Sequence, residues 1–149
     1  MKAVSSILTL VLATLITAAP GRAHSAGITN GANATASDTG IATGNSAAAT
    51  GQNAIATGNG TVADELEAVA VGNKSIVTGE MGTAVGSGNT VSASEGTAVG
   101  AGNNIQSAGS TAVGASNQVS GQNNLAIGLS NITDGANSTA IGAYSSAAV

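Results

Sequence analysis

From residue 41 onward the chain repeats every fourteen residues. Ala recurs at Ala42, Ala56, Ala70, Ala84, Ala98, Ala112, Ala126 and Ala140. A β-branched residue follows each one: Thr43, Thr57, Val71, Val85, Val99, Val113, Ile127 and Ile141. Gly then closes the triplet at Gly44, Gly58, Gly72, Gly86, Gly100, Gly114, Gly128 and Gly142, so eight units run without insertion or deletion. A β-branched residue followed by Gly suits a short strand ended by a turn, and the glycines read as turn glycines. A second strand in each unit is marked by Val62, Ile76, Val91, Ile105, Val119 and Ile132, four or five positions after the Gly. Two short strands and two turns per fourteen residues, stacked on identical neighbours, predict an all-β parallel β-roll, or β-solenoid. A weaker ninth unit at Ile28, Thr29 and Asn30 predicts an N-terminal cap, or degenerate repeat, over residues 26–40, ahead of the main array at 41–149.

Neighbouring residues of a strand face opposite sides, so the Ala ladder points one way and the Val/Ile ladder the other. Both ladders are apolar, and both are read as the structural core of the repeat. Burying both faces puts one inside the roll and the other against a second copy of the chain. In that reading Val71, Val85, Val99, Val113, Ile127 and Ile141 form the main apolar stripe, each contributing about 1.5 to 3 kcal/mol if fully buried. The substitution Ile127→Asp is then expected to bury an unpaired charge and open the stack locally. Asn89, Asn103, Asn117 and Asn131 are also fourteen apart and read as a structural amide ladder in a left-handed turn. Asn45, Asn59 and Asn73 sit two positions nearer the Gly, which predicts a change of turn geometry between the coils of Gly72 and Gly86.

Composition narrows the function. The 149 residues hold 22 Gly, one Pro, no Cys, Trp or Phe, one Tyr and one His, and the apolar share is mostly Ala and Val. Such small side chains fill thin spaces, which suits stacked layers and not a thick enzyme core. Residues 1–25 read as a signal peptide: Lys2 gives the positive start, residues 3–19 are apolar and uncharged, and Ala23 and Ser25 precede a cut ahead of Ala26. That run is shorter and more Ser/Thr-rich than a membrane span, so an exported chain without a span is expected. Cleavage leaves Lys74 alone against Asp38, Asp64, Glu65, Glu67, Glu80, Glu95 and Asp134, a net charge of −6. One cation cannot neutralise a run of phosphates, which argues against nucleic acid and anionic membranes as partners.

Candidate chemistry is sparse. The sole His, His24, falls at the cleavage site, so neither a hydrolytic triad nor a His/Cys metal site is expected. Asp64, Glu65 and Glu67 are the one acidic cluster and read as a solvated edge, since Ca²⁺ needs six to eight oxygens. Lys74 is placed to pair with one of these acids, and Tyr144 to cover the last coil or meet a partner. No catalytic residue, metal or cofactor is expected.

At these residues the chain resembles the head repeats of trimeric autotransporter adhesins, the YadA-like family. The matching segments include Gly82-Thr83-Ala84-Val85-Gly86, Gly96-Thr97-Ala98-Val99-Gly100 and Asn124-Leu125-Ala126-Ile127-Gly128. Asn137-Ser138-Thr139-Ala140-Ile141-Gly142 is similar to the family's Asn-Ser-Val-Ala-Ile-Gly motif, with Thr139 in place of Val. The resemblance spans residues 28 to 149. It implies a left-handed roll in a homotrimer packed about a common axis, displayed at the cell surface or outer membrane, or released, to bind host cells or extracellular matrix. The family's heptad stalk and β-strand anchor have no counterpart after the repeats within these residues. The alternative is an ice-binding or purely structural β-solenoid, suggested by Thr83, Thr97, Thr111 and Thr139, a ladder interrupted by Leu125.

Overall fold

The computed structural model describes residues 27–148; the signal peptide expected over residues 1–25, with His24, lies outside them. Eighteen short strands form two nine-stranded parallel sheets. The odd-numbered strands, from β1 (Ile28–Asn30) to β17 (Thr139–Ala143), make a long-strand sheet, with five residues per strand from the third coil onward. The even-numbered strands, from β2 (Thr35–Ala36) to β18 (Ser146–Ala147), make a short-strand sheet of two-residue strands. Each coil is therefore one long strand, a first turn, one short strand and a second turn. Neighbouring coils pair in register, as in Ala98 with Ala112 and Gly100 with Gly114.

The first coil joins both sheets: Ile28, Thr29 and Asn30 pair with Ile41, Ala42 and Thr43. It is one residue short. Thr35 pairs with Ala48 at an offset of thirteen, whereas Ala48 pairs with Val62 at fourteen, so the missing residue lies in the first coil's second turn. There Asn53 N–H donates to Thr39 Oγ1 at 2.8 Å, a side-chain bond across the shortened turn.

The core lies between the sheets and is thin. Ala42, Ala56, Ala70, Ala84, Ala98, Ala112 and Ala126 are fully buried on the long-strand side. Facing them on the short-strand side are Ala49, Ala63, Val77, Val91, Ile105 and Val119, also buried. Small residues on one sheet leave room for larger ones on the other, which lets two closely spaced sheets pack without voids. The sequence markers of the second strand belong to both of its faces. Val91, Ile105 and Val119 point inward, but Val62, Ile76 and Ile132 point outward, one residue earlier in an unbroken register. The offset of four or five positions records this alternation, not a shift between coils.

A spine of amides fills the corner after the first turn. Asn89, Asn103 and Asn117 are buried, and Asn103 Nδ2 donates to Asn89 Oδ1 (3.1 Å), Val99 O (3.2 Å) and Gly114 O (3.0 Å). Asn103 Oδ1 accepts from Asn117 N (3.1 Å) and Asn117 Nδ2 (2.9 Å). Asn131 continues the pattern, and its Oδ1 accepts from Ser145 N at 2.9 Å. Earlier coils use Thr61 and Ser75 at this rung, where Ser75 Oγ donates to Gly86 O and accepts from Asn89 N.

Two expectations about the turns are corrected by this register. Asn59 pairs with Asn73 and Asn73 with Ser87, so these exposed Asn residues occupy a separate row two positions before the spine. The turn does not change between the coils of Gly72 and Gly86. Its left-handed position runs through Ser46, Gly60, Lys74, Gly88, Gly102, Ser116, Ser130 and Tyr144, with φ between 53° and 65° throughout. The left-handed residue thus precedes the spine Asn instead of being it. The glycines of the Ala–β-branched–Gly triplet lie mostly inside the long strand, as Gly100 does within β11 (Thr97–Ala101), and not in a turn. At Gly100 φ is 118°, and an added Cβ would fall on the carbonyl oxygen of Gly114 in the next coil. Backbone crowding between coils, more than turn formation, demands glycine here.

Candidate self-association face and outward surface

Two outward rows of the long-strand sheet lie ahead of the repeat Gly: one contains Ile41, Ile55, Val69, Thr83, Thr97, Thr111, Leu125 and Thr139; the other contains Thr43, Thr57, Val71, Val85, Val99, Val113, Ile127 and Ile141. A third follows the Gly and runs from polar Asn59, Asn73 and Ser87 to Ala101, Ala115, Leu129 and Ala143. The two ladders of the repeat triplet therefore part company. Ala is the core of the roll, whereas the Val/Ile ladder lies outside it, with Val85 39% and Ile141 64% exposed. Strand alternation forces this separation, because the interior between two close sheets admits Ala from this side and no larger residue. Ile127→Asp accordingly places its carboxylate on the outer face, and the expectation that it opens the roll itself is corrected. These two rows carry no charged residue over nine coils. The Thr rungs at Thr83, Thr97 and Thr111 are consecutive and in register, and Leu125 ends that run.

The short-strand sheet has a different outer face. Its two outward columns run Val62, Ile76, Thr90, Asn104, Gln118 and Ile132, and beside them Asp64, Thr78, Ser92, Gln106, Ser120 and Asp134. Hydroxyls and amides dominate its middle, with Ile76 and Ile132 exposed at 40% and 39% on either side. Hydroxyl-to-carboxylate bonds tie coils together along it, from Thr50 Oγ1 to Asp64 and from Ser120 Oγ to Asp134. This face is therefore mixed, with a polar middle and carboxylates beside it.

Charge is segregated to the edges. Asp64, Glu65, Glu67, Glu80, Glu95 and Asp134 all lie at or beside the second turns, whose left-handed row holds Asn53, Glu67, Met81, Glu95, Gly109, Asn123 and Asn137. Lys74 lies in the first-turn row, on the opposite edge. Glu67 and Lys74 flank the same strand, β7 (Val69–Asn73), from its two ends, which separates them by roughly 20 Å. Of the three acids expected as partners of Lys74, Glu67 is therefore out of reach within one chain. Among the described residues no group of three His, Cys, Asp or Glu is placed to hold a metal ion. Tyr144 is 76% exposed at the first turn of the last described coil. Among the described residues no helix is long and apolar enough to cross a membrane.

A second buried polar corner was not legible in the sequence. Ser110 Oγ donates to Gly121 O (3.0 Å) and accepts from Asn124 N (3.1 Å), and Asn124 Oδ1 accepts from Ser138 N (2.7 Å). The same rung is Ala54, Ala68, Gly82 and Gly96 in earlier coils. Two positions before each repeat Ala stands Gly, Ala or Ser, with Asn124 the one larger residue, and that pattern was the available signal.

The YadA head domain repeat (2 copies) matches the chain at residues 37–61, 49–75, 63–89 and 120–145, together just over half of its length. No curated protein matches the chain.

Proposed function

The chain belongs to the YadA head repeat family, and from that premise we propose that it is an adhesin head module in which three copies pack their long-strand faces about a common axis and present their short-strand faces outward to host cells or extracellular matrix. The observation that carries this reading is the uncharged outer face of the long-strand sheet, whose two rows ahead of the repeat Gly hold only apolar residues and Thr from Ile41 to Ile141. A surface of this kind on a soluble rod calls for a partner, and a second copy supplies an identical ladder at the same 14-residue pitch. Nine coils at about 4.8 Å give a rod on the order of 40 Å. Contact with a host surface then comes from many weak hydroxyl and amide groups per chain, multiplied by three chains. The role is structural and adhesive, with no reaction step, and the signal peptide routes the chain out of the cytoplasm.

The test has two stages. Light scattering behind a sizing column should give three times the chain mass, with a β-type circular dichroism spectrum in the same fractions. Immobilised collagen, fibronectin and laminin, and cultured host cells, should then retain the assembled chain and not the Ile127→Asp variant, whose charge prevents the faces from closing. A folded monomer, or a trimer that adheres to none of these, would overturn the reading.

A further inference from the structure

Resting on the self-association just proposed, we infer that Lys74 of one chain pairs with Glu67 of the next across each seam of the assembly, fixing which edges meet and at what height. The long-strand sheet has two edges. One is lined by the first turns and is built mainly of Gly and Ser, with Lys74 its one charged residue among those described. The other is lined by the second turns and carries Glu67, Met81 and Glu95 in its left-handed row. Any cyclic arrangement about an axis parallel to the roll brings the first-turn edge of one chain against the second-turn edge of its neighbour, because the contact is heterologous. Such a rotation leaves height along the axis unchanged.

Height then selects the partner. Glu67 lies two residues before β7 at one end and Lys74 directly follows it at the other, so both sit on the same rung. Both side chains are exposed in the single chain. Both residues are held at φ near 55° by backbone bonds to the coil below, Lys74 N–H to Asn59 O and Glu67 N–H to Gln52 O, each 2.9 Å. These stacked turns aim the two side chains away from the roll, along opposite edges. The seven acids and one lysine of the described residues make the arrangement informative, since a slip of one coil would leave Lys74 facing Asn53 on one side, or Met81 with Glu80 beside it on the other, so that of these three only the unslipped register sets it against a left-handed Glu. A hydrophobic face repeating every 4.8 Å tolerates slippage between copies. One charge pair on the seam removes the degeneracy, in the manner of polar residues that set register in other repeating interfaces.

Zero-length cross-linking tests the pairing on the unmodified full chain. A carbodiimide joins an amine to a carboxylate in contact with it, and Lys74 is the sole lysine among the described residues. Covalent dimers and trimers should appear on a denaturing gel, with mass spectrometry locating the bond between Lys74 and Glu67. Separation of the two residues along β7 excludes formation of that bond within a chain. Lys74→Arg, which keeps the charge but not the reactive amine, should remain assembled by light scattering and lose the cross-link; Glu67→Gln should lose it as well. An assembly whose Lys74 links to another acid, or to none, overturns the pairing while leaving self-association intact. A monomer by light scattering overturns both.

Discussion

Removal of the Asn103 side chain tests whether the amide spine holds the coils together. Asn103 makes five side-chain hydrogen bonds, three donated by Nδ2 and two accepted by Oδ1, all at 2.9 to 3.2 Å. In Asn103→Ala the Asn117 backbone N–H loses the acceptor that serves it, inside a fully buried corner. An orphaned buried donor costs about 1–3 kcal/mol, and each remaining lost bond about 1 kcal/mol or less after water is counted. The total comes to roughly 3–5 kcal/mol, or a fall in Tm of about 10–20 °C for a chain of this size. The protein supplies its own control, because Ser75 occupies the same rung and its Oγ both accepts from the next coil's N–H and donates to Gly86 O. Asn103→Ser should therefore keep the Asn117 N–H satisfied and lose only about 1–2 kcal/mol. Thermal unfolding followed by circular dichroism, at one protein concentration for all three forms, gives the comparison. An Asn103→Ala variant that melts with the wild type, or an Asn103→Ser variant that melts no higher than Asn103→Ala, would refute the reasoning.

Three further outcomes follow from single positions. Thr133 is buried in the short-strand row and its Oγ1 has no hydrogen-bond partner; Thr133→Val, nearly the same shape, should raise stability by about 1 kcal/mol in urea titration. Gly100→Ala drives a Cβ into the Gly114 carbonyl at a φ that L residues rarely adopt; a loss of about 3 kcal/mol or more is expected, and a soluble, equally stable variant would argue against the close stacking. Met81 is exposed at φ 55°, so Met81→Gly should gain up to about 1 kcal/mol by removing left-handed strain, measurable as slower loss of signal under proteolysis.

How much could be read in advance depends on what kind of information each feature needs. The fourteen-residue period at Ala42 through Ala140 needs only local preference, with β-branched residues extended and Gly where the backbone crowds, so coil number and strand positions follow from it. The resemblance of Asn137 through Gly142 to a repeat motif likewise needs no coordinates. Facing is different. Ala84 and Val85 are both apolar, and nothing local says which enters the roll. That is decided by the gap between two sheets, which accepts Ala opposite Val91 and leaves Val85 outside.

The same holds for the polar rows. Asn73 and Asn89 look like members of one shifted ladder until pairing in register puts Asn73 beside Ser87, on the outside, and Asn89 above Ser75, inside. The seven acids and one lysine of the described residues are visible in the sequence as a charge imbalance. Only closure of each coil sorts them, placing Glu67 and Lys74 at opposite ends of one strand, too far apart to meet within a chain. Sequence by itself determined the repeat, because period is a property of the chain. Tertiary structure decided inside from outside and edge from edge, because those are properties of the space between coils.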